Sequence, residues 1–130
     1  MQKYLFIGIG GFWGCIARFY LSQLFYGPLR GAEFPWGTFV INLMGSLIIG
    51  LLAAFFRADE LHPGYRLFFI VGLLGGFTTF STFSYETLDL LINRKIVMAA
   101  IYSLGSLLGG LILTGLGLML GKFMTEKLVG

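Results

Sequence analysis

The chain has 130 residues, 57% of them hydrophobic, with nine basic and six acidic side chains beside 20 glycines and 14 phenylalanines. Charged residues make up 12%, about half the roughly 25% of a soluble domain, and too few to cover the surface such a domain exposes. This argues against a soluble globule, a disordered chain and, because glycine follows no three-residue period, a collagen-like fibre, and leaves an integral membrane protein.

Four apolar stretches of spanning length follow in chain order: Tyr4–Tyr26, Trp36–Phe56, Leu67–Ile92 and Ile96–Met124. Each matches or exceeds the ~20 residues that cross ~30 Å of hydrocarbon. The runs are continuous rather than alternating, which predicts helices and not a barrel. Residues 1–130 then form a single four-helix transmembrane domain, with no room for a water-soluble one.

The first span opens like a signal peptide, with Lys3 before an apolar run. The run continues past signal length, and Trp13 is too bulky for a lipoprotein-type cleavage site before Cys15, so the segment reads as mature structure. Arg18 stands a few residues from its centre, an expensive position that marks function or an internal partner unless the stem snorkels toward Tyr26. Gly27-Pro28 and Phe34-Pro35 bracket the first loop. The second span carries Thr38 and, one turn later, Asn42. The loop from Arg57 to Tyr65 contains His62-Pro63-Gly64, and Asn93-Arg94-Lys95 forms the third turn.

In the third span, Gly75-Gly76 meets a run of threonines, serines and phenylalanines. Glycine is a poor helix former and threonine competes for backbone carbonyls, so the helix is expected to break at Gly75-Gly76. Broken backbone at membrane depth survives only where protein or a cavity satisfies it, and there it often binds ions. The alternative is an unbroken helix whose hydroxyls bond back one turn. Phe77, Phe80 and Phe83 recur every three residues, either as a packing stripe or as rings turned edge-on to a small anion, since the ring edge is electropositive. Glu86 is deep enough to need a partner.

The fourth span has Gly105, Gly109, Gly117 and Gly121 on nearly one face, and the first has Gly10 and Gly14. Such spacing lets helices approach closely, within one bundle or between two copies. Tyr102, Ser106, Gly110 and Thr114 follow a four-residue step and share one stripe. That stripe serves either interhelical hydrogen bonding or a polar track through the bilayer.

Four spans put both ends of the chain on one side with Lys3, Arg57, Arg66, Lys122 and Lys127. Arg30, Arg94 and Lys95 lie on the other, with Arg18 leaning toward it. So even a division barely selects an orientation. Insertion both ways as an antiparallel pair and a narrow win for one orientation fit the count equally. One cysteine and one histidine exclude an intrachain disulfide and a site built from several Cys or His ligands. No nucleophile motif indicates an enzyme, and no basic run indicates nucleic acid.

The run Gly72-x-x-Gly75-Gly76-x-Thr78-Thr79-Phe80-Ser81-Thr82-Phe83-Ser84, with Trp36-Gly37-Thr38-x-x-x-Asn42, resembles the Fluc (CrcB) fluoride channel family over almost the whole chain. The resemblance implies an all-α integral membrane protein with a broken third helix. It also implies an antiparallel dual-topology homodimer in the inner (plasma) membrane that passively exports fluoride through two pores. It places Phe80, Phe83, Asn42, Ser81 and Thr82 on the fluoride path, continued by Tyr102, Ser106 and Thr114. It places Arg18 in the vestibule, and the backbone carbonyls of Gly75 and Thr78 on a central, structural sodium ion (Na+). Gly110 departs from the pattern where relatives are expected to carry a hydroxyl. A proton-coupled small multidrug transporter, the main alternative, needs an acid in its first helix, and this chain has none there.

Overall fold

The computed structural model describes residues 1–26, 33–56 and 63–129. Gly27, Pro28, Arg30, Arg57 and His62, which the sequence assigns to turns and to the charge balance, lie outside the described residues. All regular structure among the described residues is helical: α1 (Gln2–Tyr26), α2 (Trp36–Phe55), α3 (Pro63–Arg66), a π-helical segment (Leu67–Leu74), α4 (Gly75–Phe77), α5 (Phe80–Ile92) and α6 (Ile96–Val129). The pieces from α3 to α5 make one span, so the structure contains four units long and apolar enough to cross a membrane. The third span opens on Pro63, four residues before the apolar run, because proline is well tolerated in the first helical turn.

Helix ends follow local chemistry. After α5, Arg94 N–H donates to the Leu91 carbonyl at 3.0 Å and Lys95 N–H to the Leu90 carbonyl at 2.8 Å. This is a Schellman-type stop with Arg94 in the left-handed position, φ 59°, where glycine is the usual occupant. Lys95 also pairs with Glu33 at 3.0 Å, joining the first loop to the last turn.

Glycines set two close seams. A Cβ at Gly14 would collide with the Leu73 carbonyl, and one at Gly76 would lie 2.7 Å from the Gly11 carbonyl, so α1 packs backbone to backbone on the first half of the third span. A Cβ at Gly117 would collide with the Leu47 carbonyl and one at Gly121 would reach the Leu51 carbonyl at 2.7 Å, while Gly105 and Gly109 face Phe39 and Leu43. The whole four-residue series of α6 therefore turns toward α2 of the same chain. In lipid, where apolar burial supplies little drive, close packing of this kind holds helices together.

Two apolar clusters complete the interior. Ile41, Leu74 and Phe77 form one. Leu90, Ala99 and Tyr102 form the other, with Phe34, Phe39, Phe83 and Met98 packed against it.

Candidate ion pathway at the broken third helix

The third helix breaks at Thr78 and Thr79, not at Gly75-Gly76. Thr78 (φ −84°, ψ 160°) and Thr79 (φ −150°, ψ 121°) are extended, a conformation that suits β-branched residues. Gly75 and Gly76 remain helical, and Gly76 serves the α1 seam. The break is held from outside. Asn42 of α2 accepts from Thr79 N–H at Oδ1 (2.9 Å) and donates from Nδ2 to the Thr79 carbonyl (3.0 Å). The carboxamide thus replaces the lost helical acceptor of Thr79 N–H and adds a donor to the Thr79 carbonyl, which as the N-cap of α5 also takes the first bond of that helix. The Thr79 hydroxyl then caps α5 by accepting from Thr82 N–H at 3.2 Å.

These two bonds have a consequence for backbone carbonyls. In a continuous helix Thr79 N–H would donate to the Gly75 carbonyl and Thr82 N–H to the Thr78 carbonyl. Here those donors go to Asn42 and to the Thr79 side chain. The Gly75 and Thr78 carbonyls lose their helical donors, which suits them to a hard cation that takes oxygen ligands. No cluster of three His, Cys, Asp or Glu side chains exists among the described residues.

A cavity of about 440 Å³ opens beside the break. Asn42, Ser46, Thr79, Phe80, Phe83 and Ser106 line it, and no carboxylate does. The Ser106 hydroxyl is buried without a protein partner. Only one Asn42 N–H is committed to Thr79, and a carboxamide has two. Phe80 is 79% exposed, and its ring lies 5.7 Å from that of Phe83. Phe77 leaves the proposed stripe: the break turns it into the core, 5% exposed.

A smaller cavity of about 250 Å³ shares Thr79 and is lined by Cys15, Arg18, Ser22, Thr38 and Thr82. The Arg18 guanidinium lies 3.9 Å from Cys15 Sγ. The one ion pair among the described residues is Lys95–Glu33, so Arg18 brings its charge to this cavity without a carboxylate partner. Thr79 is thus the residue between a basic cavity and an aromatic one.

Of the remaining sequence candidates, Thr82 lines the smaller cavity, whereas Ser81, Tyr102 and Thr114 line neither. Ser81 is exposed, with its hydroxyl 3.4 Å from that of Thr79, and Thr82 Oγ1 accepts from Thr79 Oγ1 at 3.0 Å. Tyr102 is fully buried. Its hydroxyl donates to Glu86 Oε2 at 2.7 Å, and Thr38 donates to Glu86 Oε1 at 2.9 Å. Glu86 therefore has the internal partners its depth requires. Thr114 donates to the Ser46 carbonyl at 3.0 Å and lines neither cavity.

Residues 5–118 match the family described as "CrcB-like protein, Camphor Resistance (CrcB)". The chain belongs to the CrcB family. A relative from Geotalea daltonii is 42% identical over 95% of this chain and 100% of its own length. One from Thermus thermophilus is 46% identical over 93% and 96%, and one from Novosphingobium aromaticivorans is 44% identical over 93% and 98%. All three carry the name fluoride-specific ion channel FluC. Membership agrees with four spanning helices and makes the chain a multi-pass membrane protein.

Two residues of this CrcB-family site are not among the sequence candidates: Thr79, which enters there only as part of the motif, and Ser46. The signal for Thr79 was its place three residues before Thr82, where a hydroxyl can cap a helix. Ser46 had a weaker signal, one turn after Asn42 on the same face of α2.

Proposed function

We propose that this protein is a fluoride channel, not an enzyme, and that it lets fluoride leave the cytoplasm down its electrochemical gradient across the inner membrane. The observation that carries the reading is the acid-free cavity beside the break, where Asn42 and Ser106 retain uncommitted donors next to Phe80 and Phe83. Fluoride is small and strongly hydrated, and a pore must replace its water with directional donors. Amide and hydroxyl groups with electropositive ring edges do this without a fixed cation that would trap the ion. A negative-inside potential supplies the drive, about 2.3 kcal/mol per charge per 100 mV. The relatives' printed name supports fluoride as the ion.

The path in this reading enters at Arg18 and passes Thr82, Ser81 and Asn42. It continues between Phe80 and Phe83 and leaves along Ser106, Thr114 and Tyr102. Two copies assemble as an antiparallel homodimer in the bilayer with two pores. The nearly even charge division and the 79% exposure of Phe80 support a second copy. The Gly75 and Thr78 carbonyls would hold a structural sodium ion, a role supported by the diverted donors of Thr79 and Thr82. Sodium supplies a positive charge that ties the two broken helices together.

Purified protein in fluoride-loaded liposomes tests the reading: fluoride efflux should rise well above that of protein-free vesicles, and efflux at the protein-free rate would refute it. Labelling of a C-terminal cysteine should find both sides of the membrane equally accessible. A single-sided result would refute the antiparallel pair and leave the channel reading standing.

A further inference from the structure

We propose that Ser46 is an anion-contacting residue of this chain, its hydroxyl standing in for the side chain that Gly110 lacks. The stripe of α6 formed by Tyr102, Ser106, Gly110 and Thr114 has a hydroxyl at every step except Gly110. The space there is occupied from α2: a Cβ added at Gly110 would lie 3.3 Å from Ser46 Oγ. Ser46 lines the same cavity as Asn42, Ser106, Phe80 and Phe83. Thr114, the next member of the stripe, donates to the Ser46 carbonyl at 3.0 Å. The polar succession therefore crosses from Ser106 to Ser46 and returns to Thr114, bridging the gap in α6.

The Ser46 proton is available at low cost. In the structure it is donated to the Asn42 carbonyl at 2.8 Å, one helical turn back. That carbonyl also takes the Ser46 backbone N–H in a regular helix, so the side-chain bond is an addition to a satisfied group. Turning the hydroxyl toward an anion leaves no orphaned acceptor, and such rotations are fast, on the order of picoseconds to nanoseconds.

The assignment rests on the fluoride reading, and efflux from liposomes containing the full chain separates the two. Relative to wild type, Ser46→Ala should slow fluoride efflux by about tenfold, the scale of one lost hydrogen bond to an ion at the barrier. Adding Gly110→Ser to that variant returns a hydroxyl to the same space and should restore efflux to within about threefold of wild type. Gly110→Ala alone, which sets a methyl 3.3 Å from Ser46 Oγ while residue 46 stays serine, should slow efflux severalfold. Unchanged efflux in Ser46→Ala or in Gly110→Ala overturns the assignment. So does a Ser46→Ala loss that Gly110→Ser fails to restore. Wild-type efflux at the protein-free rate overturns the channel reading and this assignment together, whereas the variant results bear on Ser46 alone.

Discussion

Helix α2 takes part in two kinds of contact within three turns of its length. At Gly50 and Leu47 it meets α6 through bare backbone, with glycine on each side of the seam. At Asn42 it meets the third span through a side chain that accepts from the opened Thr79 N–H and donates to the Thr79 carbonyl. In the seam every backbone group keeps its helical partner and only shape matters. At the break the helix has given up its own bonds, and what remains is determined by one carboxamide and one capping hydroxyl. The seams fix where the helices stand, and the break releases donors and carbonyls inside that fixed frame. A rigid frame is what permits polar, irregular backbone at membrane depth.

Substitutions should separate the two kinds of contact. Gly76→Val should have the largest effect. Its Cβ meets the Gly11 carbonyl at 2.7 Å, with no flexible side chain to yield, so a loss of about 3 kcal/mol or more is expected and little monodisperse protein should be recovered by size exclusion. Asn42→Ala comes next. It leaves Thr79 N–H without a partner and takes one of two donors from the Thr79 carbonyl, at about 1–3 kcal/mol for the orphaned group, and should lower the thermal midpoint in detergent by several degrees. A midpoint within a degree of wild type would show that Asn42 does not brace the break. Arg94→Gly removes the left-handed strain after α5 (φ 59°) and should raise stability by about 1 kcal/mol, read in the same melt. Phe80→Ile should change stability least, since the ring lines the cavity and belongs to neither apolar cluster. Its fluoride efflux should nonetheless fall by about tenfold, the scale of ~1.4 kcal/mol at the barrier. Unchanged efflux would remove the ring from the path.

The four spans were legible because continuous apolar runs admit few other structures. The existence of a break was legible too, from glycine and threonine together at mid-span. Its place was not, since propensity points to Gly75-Gly76 while the deciding partner, Asn42, lies 37 positions away in sequence. The period-three phenylalanines could not be told apart for the same reason: periodicity assumes one helix, whereas across the break Phe77 packs in the core and Phe80 and Phe83 line the cavity. The partners of Glu86, Thr38 and Tyr102, come from two other helices, which one-dimensional spacing does not reveal. The π-helical turn at Leu67–Leu74 has no evident signature in its residues.

The central claim, that the acid-free cavity at the break conducts fluoride selectively, is tested most directly by measuring fluoride and chloride efflux from the same preparation of proteoliposomes. The account predicts rapid fluoride release with chloride leaving no faster than from protein-free vesicles. Equal efflux of the two ions would contradict it.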